Sequence, residues 1–439
     1  MHGSHYIVIT AIVLLSIASI GGILTNYFKI PYTSMLVIIG LIVGIFHIFP
    51  NLKITPTLIY YVFLPIIIFE GAVNIKIAPL MSNAVPIGIL SIFGTIVSAV
   101  FIGIVFHFIL DFPLKQALIF GAIITPTDPI SILALLKNSA KKNSGVGDYN
   151  GDNNDGIKTV LEGESLFNDG ISLVLFEVFL GLNFHNAGLI FLKGDILNIF
   201  KYIFGIIGIS ALKFLYEALG GSILGVALGY AVSFLLSLTV DYLTEIMISL
   251  LLAYVSLIFA YYLHVSFIMA IIFSGIVLAN FGFEKKVSSK AVEVFPVIIE
   301  YLAFIINSVL FLIIGIEINL FKILNLWIIS IFLIFLVILS RFIAVYLFAP
   351  LSDKIVNKLR HKIKTFSQSI NLNKRYKRFL VFGGLRGALP IAMALSLPLD
   401  LHMRSKIITY VFISVLFSLT VQAIIFDIFS KKKLKKVKV

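Results

Sequence analysis

Residues 116–136 read QALIFGAIITPTDPISILALL. The stretch is apolar and long enough to cross a hydrocarbon core of about 30 Å as a helix. Its middle, Thr125-Pro126-Thr127-Asp128-Pro129, nevertheless carries two prolines and an acid. Each proline lacks a donor and disturbs the turn before it, so the helix is expected to open over 125–128. Carbonyls near Thr125 then lose their partners and become candidate cation ligands. Asp128 falls at the N-cap of a second half-helix starting at Pro129. A simple kink does not require an aspartate in lipid, where ionisable groups are costly and usually functional. The segment therefore reads as an interrupted membrane helix built around a charge.

The rest of the chain agrees. Of 439 residues, 60% are hydrophobic and 13% charged, with mean hydropathy +1.09. A soluble domain is closer to half apolar and a quarter charged. Apolar runs recur along almost the whole length, leaving no sizeable soluble domain. Cysteine is absent, which excludes disulfides, thiol catalysis and thiolate metal sites. The formal charge of +13 would suggest nucleic acid in a soluble protein. Here the basic residues sit between apolar runs and at the end, so they read as topology signals and no nucleic-acid partner is expected.

Thirteen spans are expected, at about 6–28, 33–50, 54–75, 84–110, 116–136, 159–183, 199–238, 242–262, 264–282, 292–319, 326–349, 378–398 and 407–430. The seventh is ambiguous. It carries Lys213 and Glu217 at i,i+4 spacing and reads either as an interfacial helix running into a span or as one long tilted helix. Loops after odd-numbered spans and the tail hold 24 Lys/Arg, against seven on the other side. The positive-inside rule then puts the N-terminus outside and the C-terminus in the cytoplasm of a multi-pass cell-membrane protein. Met1 to His5 contains no Lys or Arg, so the first span is read as retained rather than as a signal peptide. Residues 138–158 read as a polar loop. Asp148, Asn150 and Asp152 begin like a calcium loop, but Asn153 and Thr159 stand where glycine and glutamate are needed. The basic tail 431–439 reads as a cytoplasmic anchor.

The expected fold is an all-α polytopic membrane domain with two inverted six-helix repeats, 1–183 and 242–430, joined through a linking helix within 184–241. Span five then pairs with span twelve, whose GGLRGALP (383–390) is a second interruption. Interrupted helices in corresponding positions point to a midplane binding site.

The ionisable candidates inside spans are Glu70, Asp128, Glu162, Glu164, Asp169, Glu300, Arg341 and Arg386. Residues 162–170 read EGESLFNDG. Glu162, Ser165 and Asp169 lie at i, i+3 and i+7 and share a helix face, while Glu164 and Asn168 share a neighbouring one. A hard alkali cation prefers oxygen ligands, and this face supplies them. Burial disfavours the charged form of a carboxyl group, so Asp169 is expected to hold either a proton or a cation. Arg341 keeps its charge and needs a partner, for which Glu164 is the candidate. Arg386 is placed to balance carbonyl ends at the second break. Glu70 either lines a water path or caps a helix end.

At these residues the sequence resembles the first cation:proton antiporter family, the NhaP-type Na+/H+ antiporters and Na+/H+ exchangers. The matching segments are FLPIIIFEGA (63–72), TPTDP (125–129), EGESLFNDG (162–170), NSVLFLIIGIEI (307–318), the Arg341 segment and GGLRGALPIAMALSLP (383–398), in order across most of the chain. Ile66 stands where the family's span-three motif has a second proline. The resemblance implies thirteen helices and a homodimer. It implies a mobile core of 84–183 plus 326–430 that moves against a dimer scaffold of 1–83 plus 242–319. It places the ion site, for Na+ as transported cargo with no cofactor, at Asp169, Asp128, Thr127, Ser165 and Glu164. Asn168, Thr125, Arg341 and Arg386 support that site. The Asn168-Asp169 pair resembles the electroneutral branch, which exchanges one cation for one H+.

Four function classes follow. An electroneutral Na+/H+ (or Li+/H+) antiporter fits best. A K+/H+ antiporter would share the fold, because residue types alone do not fix selectivity. An intramembrane aspartyl protease would pair Asp128 with Asp169, but neither sits in a Tyr-Asp or Gly-x-Gly-Asp motif. A passive channel is disfavoured by a charged site between half-helices.

Overall fold

The computed structural model describes residues 2–28, 32–46, 56–128, 152–182, 196–283, 287–317, 326–360, 362–363, 365–366 and 369–422. Among them every regular element is helical, as expected where lipid offers backbone groups no partners. In chain order the helices are α1 (His2–Phe28), α2 (Tyr32–Ile45), α3 (Ile59–Val73), α4 (Ile77–Ser82), α5 (Ala84–Leu110), α6 (Leu114–Ile124), α7 (Asp152–Leu180), α8 (Ile196–Leu236), α9 (Tyr242–Leu263), α10 (Phe267–Gly282), α11 (Ser289–Glu317), α12 (Trp327–Arg360), α13 (Lys374–Phe382), α14 (Leu389–Leu395) and α15 (Arg404–Gln422). Six of the described helices are long and apolar enough to cross a membrane.

The ambiguous seventh span is one continuous helix, α8, of 41 residues. Two boundaries differ from expectation. α7 starts at Asp152 rather than 159. Residues 152–155 are polar, so the helix runs beyond the apolar stretch with no hydropathy signal to mark it. Gly156 lets the helix lie against Ile370. α12 runs on to Arg360, through Pro350 and past the apolar stretch that ends near 349. Its last turn carries Lys358 and Arg360, which suit a helix C-terminus. Arg360 Nη2 also donates to the Ser369 carbonyl at 2.6 Å. The half-helix expected from Pro129 and the tail from 431 lie outside the described residues.

Helices in lipid gain little from hydrophobic exclusion and associate through close backbone packing at small residues. Three seams show this. On α2, a methyl at Gly40 would lie 2.1 Å from the Leu312 carbonyl oxygen of α11, and Gly44 is similarly tight against Ile316. On α8, Gly221 and Gly225 abut the carbonyls of Ser266 and Ala270, at the start of α10. On α6, a methyl at Gly121 would lie 2.1 Å from the Ala99 carbonyl oxygen of α5.

The second interruption is present. Between α13 and α14 the chain is unwound over 383–388. α15 ends in a wider π-helical turn, Ser418–Gln422, that serves this break. Ser418 Oγ accepts from the Arg386 amide at 2.8 Å, and Gln422 Nε2 donates to the Phe382 and Gly384 carbonyls at 3.1 and 3.3 Å. A second π-helical turn, Leu90–Gly94 in α5, directly precedes Thr95, which reaches the site below. Such turns recur at functional sites.

Candidate functional site: two crossed breaks beside α7

The two breaks meet. The Asp128 amide donates to the Leu385 carbonyl at 2.7 Å. Gly387 permits the crossing, since a methyl there would be 2.9 Å from Asp128 Cβ. Arg386 is 1% exposed. Its Nη1 donates to the Thr125 carbonyl at 2.5 Å and the Pro126 carbonyl at 3.1 Å. A fixed positive charge from one break thus sits on the freed carbonyls of the other.

α7 lies alongside. Ser165 Oγ donates to the Thr127 carbonyl, and Thr127 Oγ1 donates to Ser165 Oγ at 3.3 Å. Asn168 uses its whole amide. Nδ2 donates to the Thr125 carbonyl at 3.2 Å and to Thr127 Oγ1 at 3.3 Å. Oδ1 accepts from Thr95 Oγ1 at 2.7 Å and Ser172 Oγ at 3.2 Å. Asn168 therefore fastens α7 to α5 and to the first break. The Thr125 carbonyl, a candidate cation ligand, is engaged by both Arg386 and Asn168.

Glu164 and Arg341 form a bidentate pair, with both Nη–Oε distances at 2.6 Å. Glu164 is 1% exposed and Arg341 7%. Arg341 Nε donates further to the Leu380 carbonyl at 3.1 Å, and Gly384 leaves room for the guanidinium. Removing one partner of such a pair leaves a buried charge uncompensated, at a cost of about 3–5 kcal/mol.

Asp169 differs from these neighbours. Its Oδ1 is buried without a hydrogen-bond partner. The residue lines a cavity of about 160 Å³ together with Thr127, Asp128, Glu70, Glu162 and Asn307. Glu70 lines this cavity, and its Oε1 accepts from Asn74 Nδ2, at the end of α3, at 2.7 Å. Asn74 is exposed at the rim. Glu162 faces the same cavity and pairs with Lys158 at 3.7 Å.

The structure therefore brings together all nine candidate residues, Thr125, Thr127, Asp128, Glu164, Ser165, Asn168, Asp169, Arg341 and Arg386. Sequence reasoning missed Thr95, Ser172, Asn307, Ser418 and Gln422. Ser172 continues the Glu164–Asn168 face at i,i+4 and Asn307 opens the quoted 307–318 segment, so both were within reach, whereas hydroxyls and amides such as Thr95, Ser418 and Gln422 occur singly on many membrane helices with no spacing to mark them.

This geometry has counterparts. The family model "Sodium/hydrogen exchanger, transmembrane" matches residues 13–432. The chain belongs to the sodium/hydrogen exchanger family. As a member it is a multi-pass secondary active Na+/H+ antiporter and not an enzyme. It is 30% identical to the Na(+)/H(+) antiporter NhaH of Halobacillus dabanensis over 433 residues, 97% of each chain. It is 31% identical to the Na(+)/H(+) antiporter ApNhaP of Aphanothece halophytica over 412 residues, 94% of this chain and 71% of that one. The fold is that of the sodium proton antiporter MjNhaP1 from Methanocaldococcus jannaschii. Its structure at pH 8 superposes with a TM-score of 0.68 at 18% identity, covering 97% of this chain and 98% of that one. That match shows the fold, two inverted repeats with crossed, interrupted helices.

Proposed function

We propose that this exchanger is electroneutral, carrying one Na+ or Li+ against one H+, with Asp169 binding proton or cation in competition. The observation that carries the reading is the unpartnered Oδ1 of Asp169 on the cavity. Two of its neighbours on α7 are already satisfied. Glu164 is neutralised by Arg341. Asn168 is uncharged and fully hydrogen-bonded. Asp169, beside Asp128 and Arg386, keeps a buried oxygen without a hydrogen-bond partner on the cavity, and that oxygen is the place for one further positive charge. A proton fills that place in one half of the cycle and an alkali cation in the other. Thr127, Asp128, Ser165 and Glu164 complete the oxygen-rich surroundings, with Asn168, Thr125, Arg341 and Arg386 holding them.

The cavity lies between the two groups of helices that the resemblance distinguishes. Glu70 and Asn307 come from the scaffold group, 1–83 plus 242–319. Asp128 and Asp169 come from the transport group, 84–183 plus 326–430. Alternating access then moves the transport group against the scaffold, which also carries the contact between two copies in a homodimer. The rim residues Asn74 and Glu162 adjoin the exposed Lys76 and Lys158. On the positive-inside rule this rim faces the cytoplasm, with the N-terminus outside and the C-terminus inside.

The test is reconstitution in proteoliposomes with an acidic interior, following internal pH as Na+, Li+ or K+ is added. Alkalinisation by Na+ that is unchanged when valinomycin and K+ clamp the potential at zero supports electroneutral exchange. Asp169→Asn should abolish it while leaving a monodisperse, folded protein. Exchange surviving in Asp169→Asn would sink the site assignment. Voltage dependence would overturn the one-for-one stoichiometry, and a K+ response the cation assignment.

A further inference from the structure

The cavity is one-sided. α3 and α7 run in opposite directions past the site. The cavity reaches the end of α3 at Glu70 and Asn74 and the early turns of α7 at Glu162. The opposite end, at the start of α3 and the finish of α7, is closed by polar contacts that the ion site does not use. Tyr60 of α3 meets Ser396, just past α14, with Ser396 Oγ donating to Tyr60 Oη at 3.2 Å. Lys213 of α8 donates from Nζ to the Glu177 carbonyl in the last turn of α7, at 3.2 Å. Lys213 also pairs with Glu217 at 3.5 Å.

Lys213 sits eight residues into the membrane-length part of α8, which begins at Gly205. That is about 12 Å along the helix. An ammonium there needs partners and marks a working position. An i,i+4 ion pair in water would contribute little. This pair has more definite surroundings. Glu217 is 5% exposed, and its Oε2 is buried without a hydrogen-bond partner. Its carbonyl accepts from the Ser266 amide at the start of α10, at 3.1 Å, which ties this turn of α8 to the scaffold side. The lysine then crosses to the other side. Gly181 gives it room against the end of α7, where a methyl would be 3.3 Å from Nζ. The α7 C-terminus favours a cation through its helix dipole. α7 is also the helix that carries Glu164, Ser165, Asn168 and Asp169, so whatever holds its end holds the ion site.

We propose that Lys213 is a positioning residue, a pin set by Glu217 that fastens α7 to α8 at the closed end and, with the Tyr60–Ser396 contact, holds the cavity-open state. Exchange requires both contacts to part when the transport group moves. This deepens the alternating-access reading and rests on it. Weakening the pin lowers the population of the cavity-open state. Apparent affinity scales with the population of the competent state, so the two faces of the membrane respond in opposite senses.

The experiment measures the apparent KM for Na+ from each face, in right-side-out and everted membrane vesicles. For Lys213→Met, a fall in cavity-open population to about a third raises the cavity-face KM about threefold. The opposite-face KM falls. Lys213→Arg restores both values, and Tyr60→Phe moves them in the same sense as Lys213→Met. Should Lys213→Met fail to fold, Tyr60→Phe and Glu217→Gln carry the test. Equal KM changes on both faces, a change in kcat alone, or unmoved KM values in folded variants would overturn the pin while leaving antiport intact. Absence of exchange in the unsubstituted protein would overturn alternating access and the pin together.

Discussion

Three glycine seams away from the cavity differ in kind from the seam beside it. At the three, glycine meets backbone: Gly40 against Leu312, Gly225 against Ala270 and Gly121 against Ala99, where an added methyl would come within 2.1–2.3 Å of a carbonyl oxygen. A backbone carbonyl held in a helix yields less readily than a side chain. Between α3, α7 and α10, beside the cavity, glycine meets the tips of side chains. Gly71 of α3 faces Leu166 Cδ1 at 3.4 Å, an ordinary contact, and Gly170 of α7 faces Met269 Sδ at 2.5 Å. Methionine is flexible and repacks readily. The dividing seam also holds the cavity, the Tyr60–Ser396 contact, the Lys213 pin and a hydrogen bond from Ser34 Oγ to the Leu419 carbonyl. The contrast teaches where motion is cheap: polar contacts and pliant side chains part and re-form, whereas backbone seams yield less readily.

The contrast breaks first at the backbone seams. Gly121→Ala and Gly40→Ala each drive a methyl into a fixed carbonyl. Overpacking of this kind costs about 1–3 kcal/mol or more, and here the protein should fail to give a monodisperse peak in detergent size-exclusion chromatography. Recovery of folded, active protein would show that these seams yield.

The buried Glu164–Arg341 pair carries a stability figure of its own, at least as large, without the steric block. Arg341→Met should lose about 3–5 kcal/mol, because Glu164 stays buried and charged. Removing both charges together with Glu164→Gln should recover much of that loss, read as Tm in detergent. A double variant no better than the single one would mean that the pair does not stand alone electrostatically.

A milder effect is expected on the dividing seam. Gly170→Ala displaces only the Met269 sulfur. The protein should fold, and exchange should slow by less than about tenfold, or about 1.4 kcal/mol on the barrier. Failure to fold would put this contact in the rigid class.

The smallest effect lies off both seams. Asp241 caps α9, its Oδ2 accepting from the Thr244 amide at 3.0 Å and from Thr244 Oγ1 at 2.8 Å. These hydrogen bonds hold its carboxyl below the ordinary carboxylate range. A lowered value in the folded state means that the cap is fully present above the unfolded value of about 3.9 and is lost as pH falls through the folded one. Asp241→Ala should therefore lower Tm slightly at pH 7, with the gap closing below about pH 4. A gap that persists in acid would assign the effect to packing.

The sequence by itself determined that this is a membrane protein of many helices, where the two breaks fall, and which residues carry charge in lipid. Hydropathy, proline and ionisable groups are local signals, and lipid makes each of them expensive to place without purpose. Helical periodicity also foretold that Ser165 and Asp169 share a face. Charge required a partner for Arg341 and offered Glu164 as the candidate, and the family resemblance implied the same pair. Helix boundaries at 152 and 360 were less legible, because polar helix extends into water there without a change in hydropathy pattern to mark it.

Only the tertiary structure decided how the charges are shared. Arg386 belongs to the Thr125 and Pro126 carbonyls, Asn168 is saturated by Thr95 and Ser172, and Asp169 is left with an open oxygen on the cavity. Glu177, absent from the sequence candidates, accepts from Lys213 through its carbonyl, and its carboxyl lies within electrostatic reach of Lys213 and Glu217. Contacts of this kind join residues dozens to hundreds of positions apart. Many of the partners are backbone groups that every residue possesses or single hydroxyls such as Thr95, so no residue type announces them, and they exist only once the helices have packed.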